Sequence, residues 1–361
     1  MEINALLQKV IDLEGSDLHL SVSAPPTIRI NGALNFQKDL EPLTQTSLKK
    51  LLEEILNEDQ KKKLEEEKEI DFSFAFSDLA RFRVNVFHQR GYLACVMRLI
   101  PLSIPDIDEL NLPRSLYQFC DLPQGFVLVT GPAGQGKSTT IASLLNYINE
   151  TRSVHIVTIE DPIEYTYPNK KSIVDQREKN LDTKSWAVAL RSVLREDPDV
   201  VLVGEMRDAE TVAAAITIAE TGHLVFSTLH SNTTIGTIAR LIDMNIARSL
   251  IAYAINGVIS TRLVKKVCDG CKIFYTPAPE YLQYFGFEPQ ANTFVTGTGC
   301  SRCGNTGYSG RTGIFEVLEF DNKLRAMIID RVSMEDLQKY VEGMGMRTLK
   351  ADAAEKILAG I

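Results

Sequence analysis

The chain has 361 residues, 44% of them apolar, and a formal net charge of −8. That is enough chain for about two or three domains, and the acidic balance disfavours a nucleic-acid groove as the main function. Six cysteines are too few for a secreted disulfide scaffold of this length. No apolar run reaches the ~18 residues that cross a bilayer, and Met1-Glu2-Ile3-Asn4 carries no basic export segment. A cytoplasmic protein is expected.

Residues 1 to about 100 read as a small α+β domain. Leu48, Leu51, Leu52, Ile55 and Leu56 recur at helical spacing with one buried face. The charged run Glu58 to Glu69 is expected to extend that region as a solvated helical face. Strand patterns flank it at Thr27–Ile30, before the hairpin-type turn Asn31-Gly32, and at Phe72–Phe76, Arg81–Phe87 and Leu93–Ile100. Strict alternation in the third places Phe82, Val84 and Val86 on the core face and Arg81, Arg83 and Asn85 together on the other. Arg98 lies on the next strand. Such arginines are either surface charges or donors to phosphate on a neighbouring domain or subunit.

Residues 101–114 hold three prolines and no period, the pattern of a linker. From Leu116 the character changes. Apolar runs at Phe126–Val129, His155–Ile159, Val200–Val203 and His223–Phe226 alternate with helix patterns at Thr140–Ile148, Lys184–Leu194 and Ala209–Glu220. That alternation predicts a mostly parallel sheet covered on both faces, with ligands at the carboxyl ends of its strands. The tail, Met334 to Ile361, reads as helix.

The first of these runs ends in Gly131-Pro132-Ala133-Gly134-Gln135-Gly136-Lys137-Ser138, followed by Thr139 and a helix pattern. This is a complete G-x-x-x-x-G-K-[ST] loop. Glycines let backbone N–H groups surround phosphate oxygens, Lys137 supplies charge at the β- and γ-phosphates, and the Ser138 hydroxyl can ligate Mg²⁺. Residues 131–139 are therefore the expected ATP cradle.

Other strand ends carry further chemistry. Glu205, after Val200–Gly204, is placed to hold the Mg²⁺ shell. Glu160, Asp161 and Glu164 follow another strand, and spacing alone allows any of them to orient the attacking water. His223 and His230 bracket the last run, and a histidine there can sense the γ-phosphate. Cys268-x-x-Cys271 and Cys300-x-x-Cys303, 28 residues apart, can place four thiolates on one structural Zn²⁺. Cys95 and Cys120 read as plain buried thiols.

Taken together, the chain resembles the secretion-superfamily ATPases that drive type IV pili and type II secretion. The matching segments are the loop 131–138, an acidic box at Thr158–Glu164, an atypical Walker B box at Val203–Asp208, and a histidine box at Thr221–His230. Gly15-Ser16-Asp17-Leu18-His19-Leu20 and Arg81-Phe82-Arg83 are also family-like. The resemblance implies a PAS-like N-terminal domain (1–100), a linker (101–114), and a RecA-like ATPase domain (115–361) with a zinc-binding insertion at about 265–315. It implies Glu164 as the catalytic glutamate, Glu205 as the Walker B glutamate, and His223 and His230 as histidine-box residues. Arg81, Arg83 and Arg98 would reach a neighbouring site in a homohexamer. The partner implied is an inner-membrane platform protein, with no nucleic acid expected.

The subtype signals are mixed. The short N-terminus resembles retraction motors of the PilT type, whereas the tetracysteine and Arg311–Glu316 resemble assembly motors. Ala133 and Gln135 stand where the family commonly has Thr and Ser. An assembly motor is the first reading, a retraction motor the alternative.

Overall fold

The structure, a computed structural model, describes residues 2–30, 32–76, 80–100, 103–288 and 294–361. Asn31 of the expected hairpin turn and residues 101–102 of the expected linker lie outside these. The chain divides into two compact units, residues 1–103 with 162–166, and residues 104–161 with 167–361.

The first unit opens with α1 (Ile3–Asp12), then β1 (Asp17–Ser21), β2 (Thr27–Ile30) and β3 (Ala33–Phe36). Two helices follow, α2 (Gln45–Glu53) and α3 (Glu58–Glu67), then β4 (Glu69–Phe76), β5 (Ala80–Gln89) and β6 (Tyr92–Ile100). The six strands form one antiparallel sheet in the order β3-β2-β1-β6-β5-β4. Its inner face buries Leu18, Leu20, Ile28, Phe82, Val84, Val86 and Met97 against Leu6, Leu7 and Val10 of α1 and Leu48, Leu51 and Leu52 of α2. Full burial of each such side chain contributes roughly 1.5–3 kcal/mol. The charged run does not continue α2. Asn57 starts a separate helix through a capping box with Gln60, and Lys68, at φ 67°, ends it. Glu69 is already strand.

The second unit begins with Ile104–Pro113, expected to be linker. There Ile107 and Leu112 are buried, and Asp106 and Glu109 accept each other's backbone N–H. A 3₁₀ turn, Arg114–Leu116, leads into α4 (Tyr117–Cys120). Then come β7 (Gly125–Thr130), α5 (Lys137–Thr151), β8 (His155–Glu160), β9 (Ile173–Glu178), α6 (Trp186–Val193) and β10 (Val200–Val203). They continue through α7 (Ala209–Glu220), β11 (Leu224–Leu229), α8 (Thr234–Asp243), α9 (Arg248–Ala254) and β12 (Ile255–Val267). β13 (Lys272–Phe274), α10 (Pro279–Phe285) and β14 (Val295–Gly297) precede β15 (Tyr308–Glu319).

The main sheet has seven strands in the order β15-β12-β7-β11-β10-β8-β9. Six run parallel, and β15 pairs antiparallel with β12. Every residue of β7, β10 and β11 is buried, which explains their unbroken apolar runs. β9, β12 and β15 mix polar and apolar residues and are not marked as apolar runs in the sequence. After α11 (Asn322–Ile329), the tail read as helix from Met334 to Ile361 is two helices, α12 (Met334–Gly343) and α13 (Leu349–Leu358). Gly345, at φ 84°, separates the last two.

Candidate functional site

At the carboxyl end of β7 the chain turns through the glycine-rich loop into α5, whose N-cap is Gly136. Lys137 is buried and its Nζ donates to the carbonyls of Gly131 (3.0 Å) and Pro132 (2.9 Å). Gly131 has φ 152°, and a Cβ there would stand 2.7 Å from the Thr261 carbonyl oxygen, so only glycine fits. Gln135 closes the loop from the other side. Its side-chain oxygen accepts the Leu263 N–H (2.8 Å), and its carbonyl accepts the Thr261 hydroxyl (3.1 Å). β7 is in register with β12 only as far as Thr130↔Ser260. Gln135 therefore takes up a donor that the ladder has left behind. The loop amides, Lys137 and Ser138 have the chemistry to hold ATP phosphates and Mg²⁺.

The neighbouring strand ends are stitched to one another. Ser227 Oγ donates to the Val203 carbonyl (2.6 Å), Thr228 Oγ1 to that of Gly204 (2.8 Å), and Met206 N to that of Thr228 (3.1 Å). This fixes Glu205 beside His230. Glu205 Oε1 pairs with Arg207 at 2.5 Å, and Glu205 Oε2 lies 3.9 Å from His230 Nε2. Burial and the charge on Lys137 hold the His230 pKa below the usual histidine value, against the opposing pull of Glu205. Arg207, His230, Met206 and Leu229 line a cavity of about 230 Å³ with Arg240 of α8 and Met244 just after that helix.

The structure separates the two histidines. His223 precedes β11, level with the start of β7, and its Nδ1 meets the Ile218 carbonyl at the end of α7 (3.0 Å). Seven residues of extended chain, at about 3.3 Å each, put it roughly 23 Å from His230. His223 is thus not part of the cluster at the strands' carboxyl ends in its own chain.

The acidic box also divides by role. Glu160 is buried and accepts from Thr158 Oγ1 (2.7 Å) and Gln176 Nε2 (3.1 Å). Asp161 pairs with Lys179 (2.6 Å). Glu164 is exposed and lies in the segment 162–166 that counts with the first unit.

In the first unit, Arg29, Asp17, Arg98, Arg83 and Ser73 form one row across β2, β1, β6, β5 and β4. Asp17 is buried and accepts from Arg98 Nε (2.8 Å). Burial pushes its pKa up, but the Ser16 hydroxyl and Arg98 outweigh that and hold it below the usual carboxylate value. Arg83 pairs with Asp71 (2.6 Å), and Arg81 donates to Ser73 (3.0 Å). The Ser16-Asp17 pair in the sequence is thus a brace for the arginine face, a role that no spacing rule reveals.

The four cysteines sit where β12 ends and β15 begins. Their sulfurs lie within 4.8 Å of one another, with Cys268–Cys300 and Cys271–Cys303 at 3.9 Å and Cys300–Cys303 at 3.8 Å. A tetrahedron of Zn–S bonds of about 2.3 Å has edges of about 3.8 Å, so the donor set and spacing fit such an ion. Backbone N–H groups of Gly299, Cys300 and Gly307 point at the sulfurs, as thiolate ligands require. Cys95 and Cys120 are buried, and burial pushes the Cys120 thiol up to about 12. They are inert thiols.

A family model described as type II/IV secretion system protein matches residues 1–361. The chain belongs to that family. With the phosphate loop and acidic strand end in place, it is an ATPase. The type IV pilus retractation ATPase PilT of Pseudomonas aeruginosa is 46% identical over 276 residues, covering 75% of this chain and 80% of the relative. Type II secretion system protein E of the same organism is 33% identical over 374 residues, covering 99% and 72%. Among solved structures, the pilus retraction motor PilT with bound ADP is 40% identical, with a TM-score of 0.82 over 100% of this chain and 94% of that one. Among the described residues, no helix is long and apolar enough to cross a membrane.

Proposed function

We propose that this family member is a motor ATPase for type IV pilus retraction. The supporting observation is the likeness to PilT, at 46% identity in sequence and a near-complete overlay in structure. This replaces assembly as the first reading. The tetracysteine and the Arg311–Glu316 segment keep assembly as the second. In either case Lys137, Ser138 and Glu205 hold the nucleotide phosphates and Mg²⁺, and Glu164 orients the attacking water. His230 reads the γ-phosphate. A homohexamer lets Arg81, Arg83 or Arg98 complete a site formed with a neighbouring domain or subunit. One Zn²⁺ on Cys268, Cys271, Cys300 and Cys303 stiffens the end of the β12–β15 ribbon. The motor works at the cytoplasmic face of an inner-membrane platform.

The deciding experiment removes the gene from its host and counts surface pili. A retraction motor's loss leaves pili abundant and stops twitching. Loss of the pili themselves would return the assembly reading, and no change in either would remove both.

A further inference from the structure

The end of β12 is held from two sides. Side chains of successive residues point to opposite faces of a strand. On one face Thr261 donates to Gln135 of the phosphate loop. On the other, Ser260 Oγ and Arg262 reach the loop that follows His230. Ser260 donates to the Asn232 carbonyl (3.2 Å). Arg262 Nη2 donates to the same carbonyl (2.7 Å) and to Asn232 Oδ1 (3.2 Å), while Nη1 donates to the Thr261 carbonyl (2.8 Å). Nη1 also lies 3.3 Å from where a Cβ on Gly131 would stand. The guanidinium therefore lies beside the start of the phosphate loop and grips a residue two positions after His230.

The rest of that loop is held as firmly. Thr130 Oγ1 donates to the Ser231 carbonyl (3.1 Å), and buried Glu316 of β15 accepts from both Thr234 N (2.9 Å) and Thr234 Oγ1 (2.7 Å). Residues 231, 232 and 234 are thus each tied to a different strand of the sheet. Within this set Arg262 is the only member that carries a fork of donors, and all three of its acceptors are neutral oxygens. Such a fork fixes direction as well as distance.

We propose that Arg262 is a positioning residue for hydrolysis, holding His230 in register with Glu205 and the phosphate loop by gripping Asn232. This rests on the reading of His230 as a γ-phosphate sensor. The two faces of β12 then make separable contributions. Arg262 governs the chemical step, and Thr261, through Gln135, governs how well the loop is preformed for nucleotide. If the strand end were only structural, substitutions on its two faces would disturb the same parameters.

The test compares Arg262→Gln, Arg262→Lys and Thr261→Val in the full-length chain, by steady-state hydrolysis of Mg·ATP and calorimetric binding of ADP. Arg262→Gln is expected to lower kcat by about tenfold or more while KM and ADP affinity move less than about threefold. Arg262→Lys, which keeps the charge and loses the fork, should fall between. Thr261→Val should instead weaken ADP binding with a smaller change in kcat. Wild-type kcat in Arg262→Gln, or a loss confined to KM, overturns the proposal. Should Arg262→Gln not fold, wild-type kcat in Arg262→Lys does the same. Hydrogen exchange at the amides of residues 231–234 separates this from a failure of the sensor reading. Faster exchange is expected in Arg262→Gln even if His230→Ala proves active, and unchanged exchange removes the grip itself.

Discussion

His230 Nε2 stands 3.9 Å from Glu205 Oε2, so the residues that follow two adjacent parallel strands face each other across the strands' carboxyl ends. The imidazole is half exposed and lies between opposing influences. Burial and Lys137 disfavour its protonation, and Glu205 favours it. The neutral ring is the form expected near pH 7. Because its folded pKa is depressed, its contribution to stability is present above the ordinary histidine value and is lost as pH falls through the lowered one. In a histidine NMR titration, Lys137→Met should raise the His230 midpoint and Glu205→Gln should lower it further. A rise in the Glu205→Gln variant would contradict the electrostatic assignment.

Glu164 and Lys137 should separate kinetically. Glu164→Gln is expected to keep nucleotide affinity within a few-fold and lower kcat by about 10² or more, the usual scale for a positioned base. Lys137→Ala should lose nucleotide binding itself. Normal turnover by Glu164→Gln would move the water-orienting role to Glu205, because Glu160 is buried and hydrogen-bonded to Thr158 and Gln176.

The tetracysteine knuckles should hold one Zn²⁺ per chain by elemental analysis of protein purified under reducing conditions. Cys300→Ser should lower that content and the thermal midpoint together, since metal binding there is folding energy. Protein that is folded and free of metal would remove the site.

Glu316 offers a test of the helix start behind the His230 loop. It accepts two hydrogen bonds from Thr234, and both are buried. Glu316→Ala leaves a buried amide and hydroxyl without an acceptor, for a loss of about 2–4 kcal/mol in denaturant unfolding. Glu316→Gln keeps an acceptor and should lose less. Equal losses would mean that packing rather than capping sets the cost.

The phosphate loop, the strand ends and the cysteine pairs were legible because each is a short run of residues whose chemistry depends on near neighbours. Gly131 to Ser138 is a binding loop wherever a buried strand precedes it and a helix follows, and the apolar runs of β7, β10 and β11 announce strands covered on both faces. Alternation alone also puts the arginines of β5 on one face, since strand side chains alternate with a period of two. The sequence predicted a parallel sheet with its chemistry at the carboxyl strand ends, but it could not say which strand lies beside β7. That was decided by the parallel register with β7, which puts His230 beside the loop and His223 at the far end. Nor could it pair Arg262 with Asn232 or Gln135 with Leu263, which lie 30 and 128 residues apart. Those contacts exist only because β12 enters the sheet next to β7 and runs past its end. Hydrophobic period reports how each segment is buried, but the sheet order decides which polar groups are left facing one another.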